Sequence, residues 1–367
     1  MASNRREFLQ LAQHFEPEKH DVQGWYVSEK LDGTRCFWDG GISRGLSTDE
    51  VPWASVLDPK TGKRKGKIKP ISTGLWSRYG NPIMAPDDFL NQLPCCFLDG
   101  ELWAGRGSFQ LSRSICGGDE PDPRFDQISF AVYSSPPPDR VFGDGEIKNT
   151  NMLRSIEAAT CISWVQRRAE EFDGDFVFMS HGSTFDEELH FLNEMIPNQM
   201  SPVFMHKQVR LPADKDEARK FIETYLAGVL DEGGEGVVLR NPDAIWTPTR
   251  NRGILKYKPH SDAETVVTGF TSGRETAKGS KLLGKIGALI TSYNGKRLEL
   301  AGLTDEEREF DTPHMVEYAT HHPGIDMPDS FQGKHFRVGQ KVTFKYRELS
   351  DDGIPKEARF FRRRDIE

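Results

Sequence analysis

Lys30 opens the run Lys30-Leu31-Asp32-Gly33-Thr34-Arg35. A lysine amine is a nucleophile only when deprotonated. A cationic or desolvated setting lowers its pKa enough for attack on phosphorus near neutral pH. Gly33 allows a tight turn where substrate phosphates can approach the backbone, and Asp32 can orient its neighbours. Arg35 lies two strand positions beyond Gly33, on the same face, and its guanidinium suits a phosphate. Downstream, Glu101 and Glu235 each stand beside a glycine at the border of a predicted strand. Two carboxylates converging near phosphates can hold Mg²⁺ through oxygen ligands, directly or through water. Lys256 and Lys258 alternate on one predicted strand, so both point the same way. That face would offset charge building on a phosphate under attack. Taken singly, each feature has a plain alternative: an Asp-Gly hairpin with flanking surface charges, two carboxylates in turns, a solvated strand face.

These residues need strands to hold them. Residues 25–38 alternate apolar and polar and read as a strand pair broken at Asp32-Gly33. Residues 95–103, 128–133, 236–240 and 253–258 read as further strands. Helical spacing covers 151–171 and 214–230, with Asp214 as N-cap of the second. Residues 47–72 lack periodicity and read as an inserted loop or hairpin. After Pro259 the texture changes to short strands with Gly turns: 264–270, 286–293, 296–300, 341–347 and 358–362. Five such strands suggest a small barrel of the OB type. The expected organisation is α+β: a first domain of antiparallel sheets with helices over 1–260, then an all-β OB-fold domain over 261–367.

Bulk composition sets limits. Apolar residues make up 36% and charged residues 28%, which fits a globular enzyme rather than a disordered chain. No apolar run reaches the roughly 18 residues a membrane helix needs, and the N-terminus lacks an export signal. A cytoplasmic protein, with no membrane partner, is expected. None of the five cysteines forms a C-x-x-C pair, which argues against a zinc ribbon. The net charge of −8 is unusual for a nucleic-acid binder. Basic residues are concentrated, however, in KTGKRKGKIK (60–69), KGSKLLGK (278–285) and RFFRRR (359–364). A basic face on an acidic chain is compatible with DNA.

In order after Lys30 come Ser77-Arg78-Tyr79-Gly80, Leu98-Asp99-Gly100-Glu101-Leu102-Trp103, Ile128–Tyr133, Glu235-Gly236-Val237-Val238-Leu239-Arg240 and Leu255-Lys256-Tyr257-Lys258-Pro259. This series resembles the successive motifs of ATP-dependent DNA ligases, in a superfamily shared with mRNA capping enzymes and RNA ligases. The likeness runs from about Gly24 to the C-terminus. It is greatest to the minimal two-domain bacterial E-type and phage enzymes.

The resemblance implies a role for each motif residue. Lys30 would carry AMP, with Lys256 and Lys258 on the α-phosphate. Ser28 and Glu29 would read the adenine edge, and Tyr133 would stack on the base unless it is a core tyrosine. Ser134 departs from the Asp that relatives often carry next. Glu101 would meet the ribose or the metal, and Glu235 the metal. Arg35 and Arg78 would grip the 5′-phosphate of a nick, although Arg78 also reads as a turn residue. Arg362 and Arg364, with Arg359 in reserve, would meet the β- and γ-phosphates; a frayed cationic tail is the alternative. Lys278, Lys281 and Lys285 match the family's DNA-facing turn. Lys63, Arg64 and Lys65 form either a DNA-gripping loop or a flexible charged hairpin. The implied cofactors are ATP and Mg²⁺, with Mn²⁺ as a substitute, and the implied partner is nicked duplex DNA bound by a monomer. Within the superfamily the rivals are an RNA ligase and a guanylyltransferase. Outside enzymes, the rival is a silent DNA-binding scaffold.

Overall fold

Two strands flank Lys30, as the alternation predicts, but they do not pair with each other. In the computed structural model, which describes residues 9–54, 71–142, 158–172, 176–180, 182–196, 202–258, 261–275, 279, 281–350 and 352–364, Tyr26–Glu29 and Thr34–Asp39 lie in different sheets. A two-residue Asp-Gly hairpin needs positive φ at its turn residues, and Gly33 does not adopt it. Each strand takes partners from far along the chain instead.

The chain divides between Tyr257 and Lys258 into two compact units. The strands of the first are β1 (Leu11–His14), β2 (Tyr26–Glu29), β3 (Thr34–Asp39), β4 (Leu75–Ser77), β5 (Phe97–Trp103), β6 (Ser129–Ser134), β7 (Val203–Met205), β8 (Val209–Arg210), β9 (Val237–Arg240) and β10 (Arg250–Tyr257). They form two five-stranded sheets, ordered β1-β10-β9-β2-β8 and β4-β3-β5-β6-β7. Both are mainly antiparallel, as expected. Each adds one parallel edge pair, β1 with β10 and β6 with β7. The helices are α1 (Asp87–Leu90), α2 (Phe109–Cys116), α3 (Pro138–Phe142), α4 (Ala158–Glu171), α5 (Phe185–Met195) and α6 (Lys215–Asp231).

Helix α6 shows why the first sheet has one polar face. Asp214 caps it, its carboxylate accepting from the N–H groups of Asp216 (3.0 Å) and Glu217 (2.9 Å). Ala218, Ile222, Leu226 and Val229 then recur at helical spacing and pack on Val27, Leu239 and Leu255. Each large side chain buried there contributes ~1.5–3 kcal/mol. By strand alternation, Ser28, Val238, Arg240 and Lys256 face the other way. The acidic cluster 186–188 is the first turn of α5, closed by a reciprocal cap between Thr184 and Glu187. The second sheet packs Trp38, Leu98, Leu102 and Phe130 against Phe89, Ile115 and Phe125.

The second unit holds β11 (Ser261–Ser272), β12 (Ile286–Tyr293), β13 (Lys296–Leu300), α7 (Pro313–His321), β14 (Lys341–Tyr346), β15 (Glu348–Leu349), β16 (Pro355–Lys356) and β17 (Arg359–Arg363). Its main sheet is ordered β13-β12-β11-β14-β17. The long β11 pairs with β14 through its first half and with β12 through its second. A bridge from Ala301 to Arg359 joins the two outer strands, closing the barrel that the five short strands suggest. Val267, Phe270, Leu289, Phe336 and Phe344 fill it. Among the described residues, no helix is long and apolar enough to cross a membrane.

Candidate active site

Lys30 directly follows β2. Its N–H donates to the Gly236 carbonyl at 2.8 Å, extending the β2–β9 ladder by one residue. Its Nζ pairs with a Glu235 carboxylate oxygen and lies 3.4 Å from the Leu31 carbonyl. The lysine side chain is 25% exposed and the glutamate 8%, so the pair is half-open. Ser28, Val238 and Lys256 are cross-strand neighbours and share a face.

Residues 31–33 carry the chain to the second sheet. The Gly33 N–H donates to Glu101 Oε1 at 3.0 Å. A Cβ at Gly33 would lie 2.4 Å from the Leu102 carbonyl oxygen and 2.8 Å from Glu101 Cγ. Glycine is required here because β5 comes so close; the expected tight turn is not the reason. The other Glu101 oxygen accepts from the Tyr133 hydroxyl at 2.6 Å. The β5–β6 register slips between Asp99 and Gly100, pairing Asp99 with Ser134 and Gly100 with Val132. Tyr133 is the bulged residue, and bulges re-aim side chains.

A charged cluster lies beside this pair. Arg35 forks onto Asp99 through Nε (2.7 Å) and Nη2 (2.6 Å). Asp99 is fully buried and also accepts from Trp246 Nε1 at 3.1 Å. Burial pulls the Arg35 pKa down, but the charge and hydrogen bonds of Asp99 outweigh it and raise it. Arg240, 5% exposed, lies 5.5 Å from the Tyr133 ring centre and 4.9 Å from that of Phe185. Burial and then the nearby Arg35 charge lower it to about 10. Glu188 reaches in from α5 to accept from the Ser134 hydroxyl and from the Ser135 N–H (3.0 Å). Burial raises it to about 7 against those bonds. Burial, then the Glu101 charge, push the Tyr133 phenol up.

Glu29 is turned to the opposite face from Ser28. Its carboxylate takes a two-bond fork from Arg106 (2.8 Å each), which also bonds Glu232 at 2.6 Å. Its carbonyl lies 2.7 Å from Nε2 of His206, a buried histidine whose pKa burial lowers.

The first unit thus brings together Lys30 with Glu235, and Glu101 with Tyr133 and Arg35. Ser28 and Lys256 share the face on which Arg240 meets Tyr133 across the two sheets. Arg78 sits in the turn after β4, its guanidinium on the Tyr79 hydroxyl at 2.7 Å. Strand β10 ends at Tyr257, so Lys258 is not on it; it begins the second unit. In that unit Arg362 lies on β17 opposite Thr343, and Arg364 pairs with Glu264 at 2.8 Å. Residues 359–363 are therefore an ordered strand, not a frayed tail. Lys281 (2.9 Å) and Lys285 (4.0 Å) share Asp305. Lys63, Arg64, Lys65 and Lys278 lie outside the described residues. Sequence reasoning missed Asp99, Arg240, Glu188, Arg106 and His206. Asp99 had a signal, being two residues before Glu101 and hence on its face. Glu188 and His206 had none, because their partners are 54 and 177 residues away.

Residues 279–364 match the DNA ligase OB-like domain family. Over 342 residues, covering 93% of this chain and 87% of the relative, the sequence is 22% identical to a DNA ligase of Haemophilus influenzae. A solved structure from a structure–function study of Lig E DNA ligases is 23% identical, with a TM-score of 0.59 over 97% of this chain and 98% of that one. A second, named Pmar-Lig_PreS3, is 16% identical, with a TM-score of 0.57 over 97% of this chain and 67% of that one. The two structures share the fold. With the sequence match running through both units, the chain is similar to a DNA ligase over most of its length, and residues 279–364 match the DNA ligase OB-like domain.

Proposed function

We propose that this ligase homologue uses ATP to seal nicks in duplex DNA, acting as a cytoplasmic monomer with Lys30 as its covalent nucleophile. The observation that carries the reading is Lys30 held on Glu235 while Gly33, three residues on, bonds Glu101 in the facing sheet. A protonated amine has no lone pair, so the ion pair must open and Nζ must lose its proton before attack. The Nζ–phosphorus bond then forms at the ATP α-phosphate as the bond to pyrophosphate breaks. AMP next passes to the 5′-phosphate of the nick. Attack by the 3′-hydroxyl forms the phosphodiester and releases AMP. Positioning and charge neutralisation supply most of the catalysis in such transfers.

Lys256 is assigned to the α-phosphate, together with Lys258. Glu101 is assigned to the ribose or the metal, its two oxygens already oriented by Gly33 and Tyr133. Ser28 and the Glu29 carbonyl are assigned to the adenine edge, with Tyr133 against the base. Arg35 keeps its Nη1 group for a 5′-phosphate while Asp99 holds the rest of the guanidinium, and Arg78 is its partner. Arg362 and Arg364 are assigned to the outer ATP phosphates, and Lys281 and Lys285 to DNA. Mg²⁺ commonly binds through one or two carboxylates plus substrate phosphates. Glu235 and Glu101 supply carboxylates of that kind, and the ion would offset phosphate charge; Mn²⁺ would substitute.

Incubation with labelled ATP and Mg²⁺, followed by a nicked duplex, tests adduct formation and sealing together. Lys30→Ala is expected to remove all covalent AMP labelling, and persistent labelling would overturn the assignment.

A further inference from the structure

At the outer edge of the first sheet, β1 runs parallel to β10, and the two strands and the 16–20 turn line a cleft with His14, Lys19, His20, Arg250, Arg252 and Lys256. Glu16 is the one carboxylate among the lining residues, and it is paired with Lys19 at 2.5 Å. The register explains why cations gather here. Ala12 faces Asn251 but the next residue, Gln13, faces Leu255. Arg252, Gly253 and Ile254 therefore have no partner on β1, and the bulge presents Arg252 to solvent. Arg252 is exposed and has no ion pair among the described residues.

The floor of the cleft is pinned. The Phe15 N–H donates to the Lys256 carbonyl at 2.9 Å, and the buried Phe15 ring packs edge-on against Tyr257 at 5.3 Å. His20 stacks on the same ring at 6.0 Å, and the 16–20 turn is closed by Lys19 and His20 N–H groups on the Glu16 carbonyl. Arg250 is tied to the Ala12 carbonyl. The basic side chains thus rise from an ordered backbone frame, and holding each against a ligand still costs side-chain ordering.

Lys19, Arg250 and Arg252, together with Lys256 at the border with the α-phosphate site, face one paired carboxylate and form a strong local departure on a chain of net charge −8. The cleft is open, and its cations are spread along β10 and the 16–20 turn rather than focused on one buried anchor. That pattern suits a run of phosphates more than a single anion. Three of the other expected phosphate-binding cations are held on carboxylates, Arg35 by Asp99 and both Lys281 and Lys285 by Asp305. We propose that the β1–β10 cleft is a binding site for backbone phosphates of the duplex flanking the nick. The proposal rests on the ligase reading above. Its chemistry would also accept the polyphosphate of ATP, so the test must separate the two.

The test uses the full chain, a nicked duplex with a blocked 3′ end, and a series of KCl concentrations. Lys19→Ala combined with Arg252→Ala should weaken duplex binding by about tenfold near 0.1 M salt. The log–log salt slope should fall by about 0.9 for each phosphate contact removed. Lysine-AMP formation from ATP alone should be unchanged, and Arg252→Lys, which keeps the charge, should preserve the slope. Unchanged affinity and slope in the double variant would overturn the proposal. So would a raised ATP requirement with an unchanged slope, which would give the cleft to ATP. If the parent formed no lysine-AMP yet the variant lost salt-dependent binding, the cleft would stand and the ligase reading would fall.

Discussion

Two ion pairs, with cations five residues apart in sequence, do opposite work. Lys30–Glu235 is an ion pair made by a point charge, with the lysine a quarter exposed. Arg35–Asp99 is a planar two-bond fork onto a carboxylate with no exposure and a third donor from Trp246. A point charge on a flexible stem can leave its partner at small cost, whereas a fork in a dry site resists opening. On the proposed chemistry the first pair must break in every turnover, while the second holds Arg35 fixed in the facing sheet. The same charges give a reactive group or a brace according to denticity and water access.

The sharpest way to break this comparison is to remove the carboxylates in turn. Asp99→Ala leaves Arg35 buried without its counter-charge and should cost about 3–5 kcal/mol of stability, read by urea unfolding. Glu235→Gln should cost about 1 kcal/mol or less while depressing lysine-AMP formation. Equal destabilisation by the two changes would erase the distinction.

A second test uses pH. Glu188, raised to about 7, binds its proton more tightly folded than unfolded. Its contribution therefore favours the folded state at low pH and is lost as pH rises from the ordinary carboxylate range to about 7, by roughly 3 kcal/mol. Glu188→Gln should flatten the stability profile across that window. An unchanged slope would remove Glu188 from the brace.

The smallest effect is expected at Arg106, which forks onto Glu29 as Arg35 does onto Asp99 but has a side chain 35% exposed. Arg106→Ala should cost no more than about 1 kcal/mol, because solvent screens the pair. A loss as large as that of Asp99→Ala would show that forked geometry matters more than burial.

Much of this was legible beforehand, and the reasons differ by region. The barrel strands could be read because each is short, alternating and bounded by turn residues, and α6 because Asp214 precedes an apolar stripe. Lys30, Glu101 and Glu235 stood out because their motifs are local. Helix α5 was overlooked although Thr184 and Glu187 carry a capping signature. Strands around Lys30 were expected, but their pairing was not, because alternation reports a strand without naming its partner. The brace was least legible. Arg240 and Glu188 act through neighbours supplied by other elements, and only tertiary contact makes them a cluster.

The crossover from Lys30 to Thr34 has a geometric consequence. Its first residue is stitched to one sheet by the bond to Gly236, and its last begins a strand of the other. Four extended steps reach at most ~14 Å, while packed sheets already stand ~10 Å apart. The segment is a short tether with little slack against such a spacing, and the proposed nucleophile is at one end. The layers cannot gape beside Lys30; they can part only along margins farther from it. Anything that reaches the lysine must slide in edgewise toward a hinge line that hardly widens, and a flat ring with a phosphate tail has the right profile for such a slot.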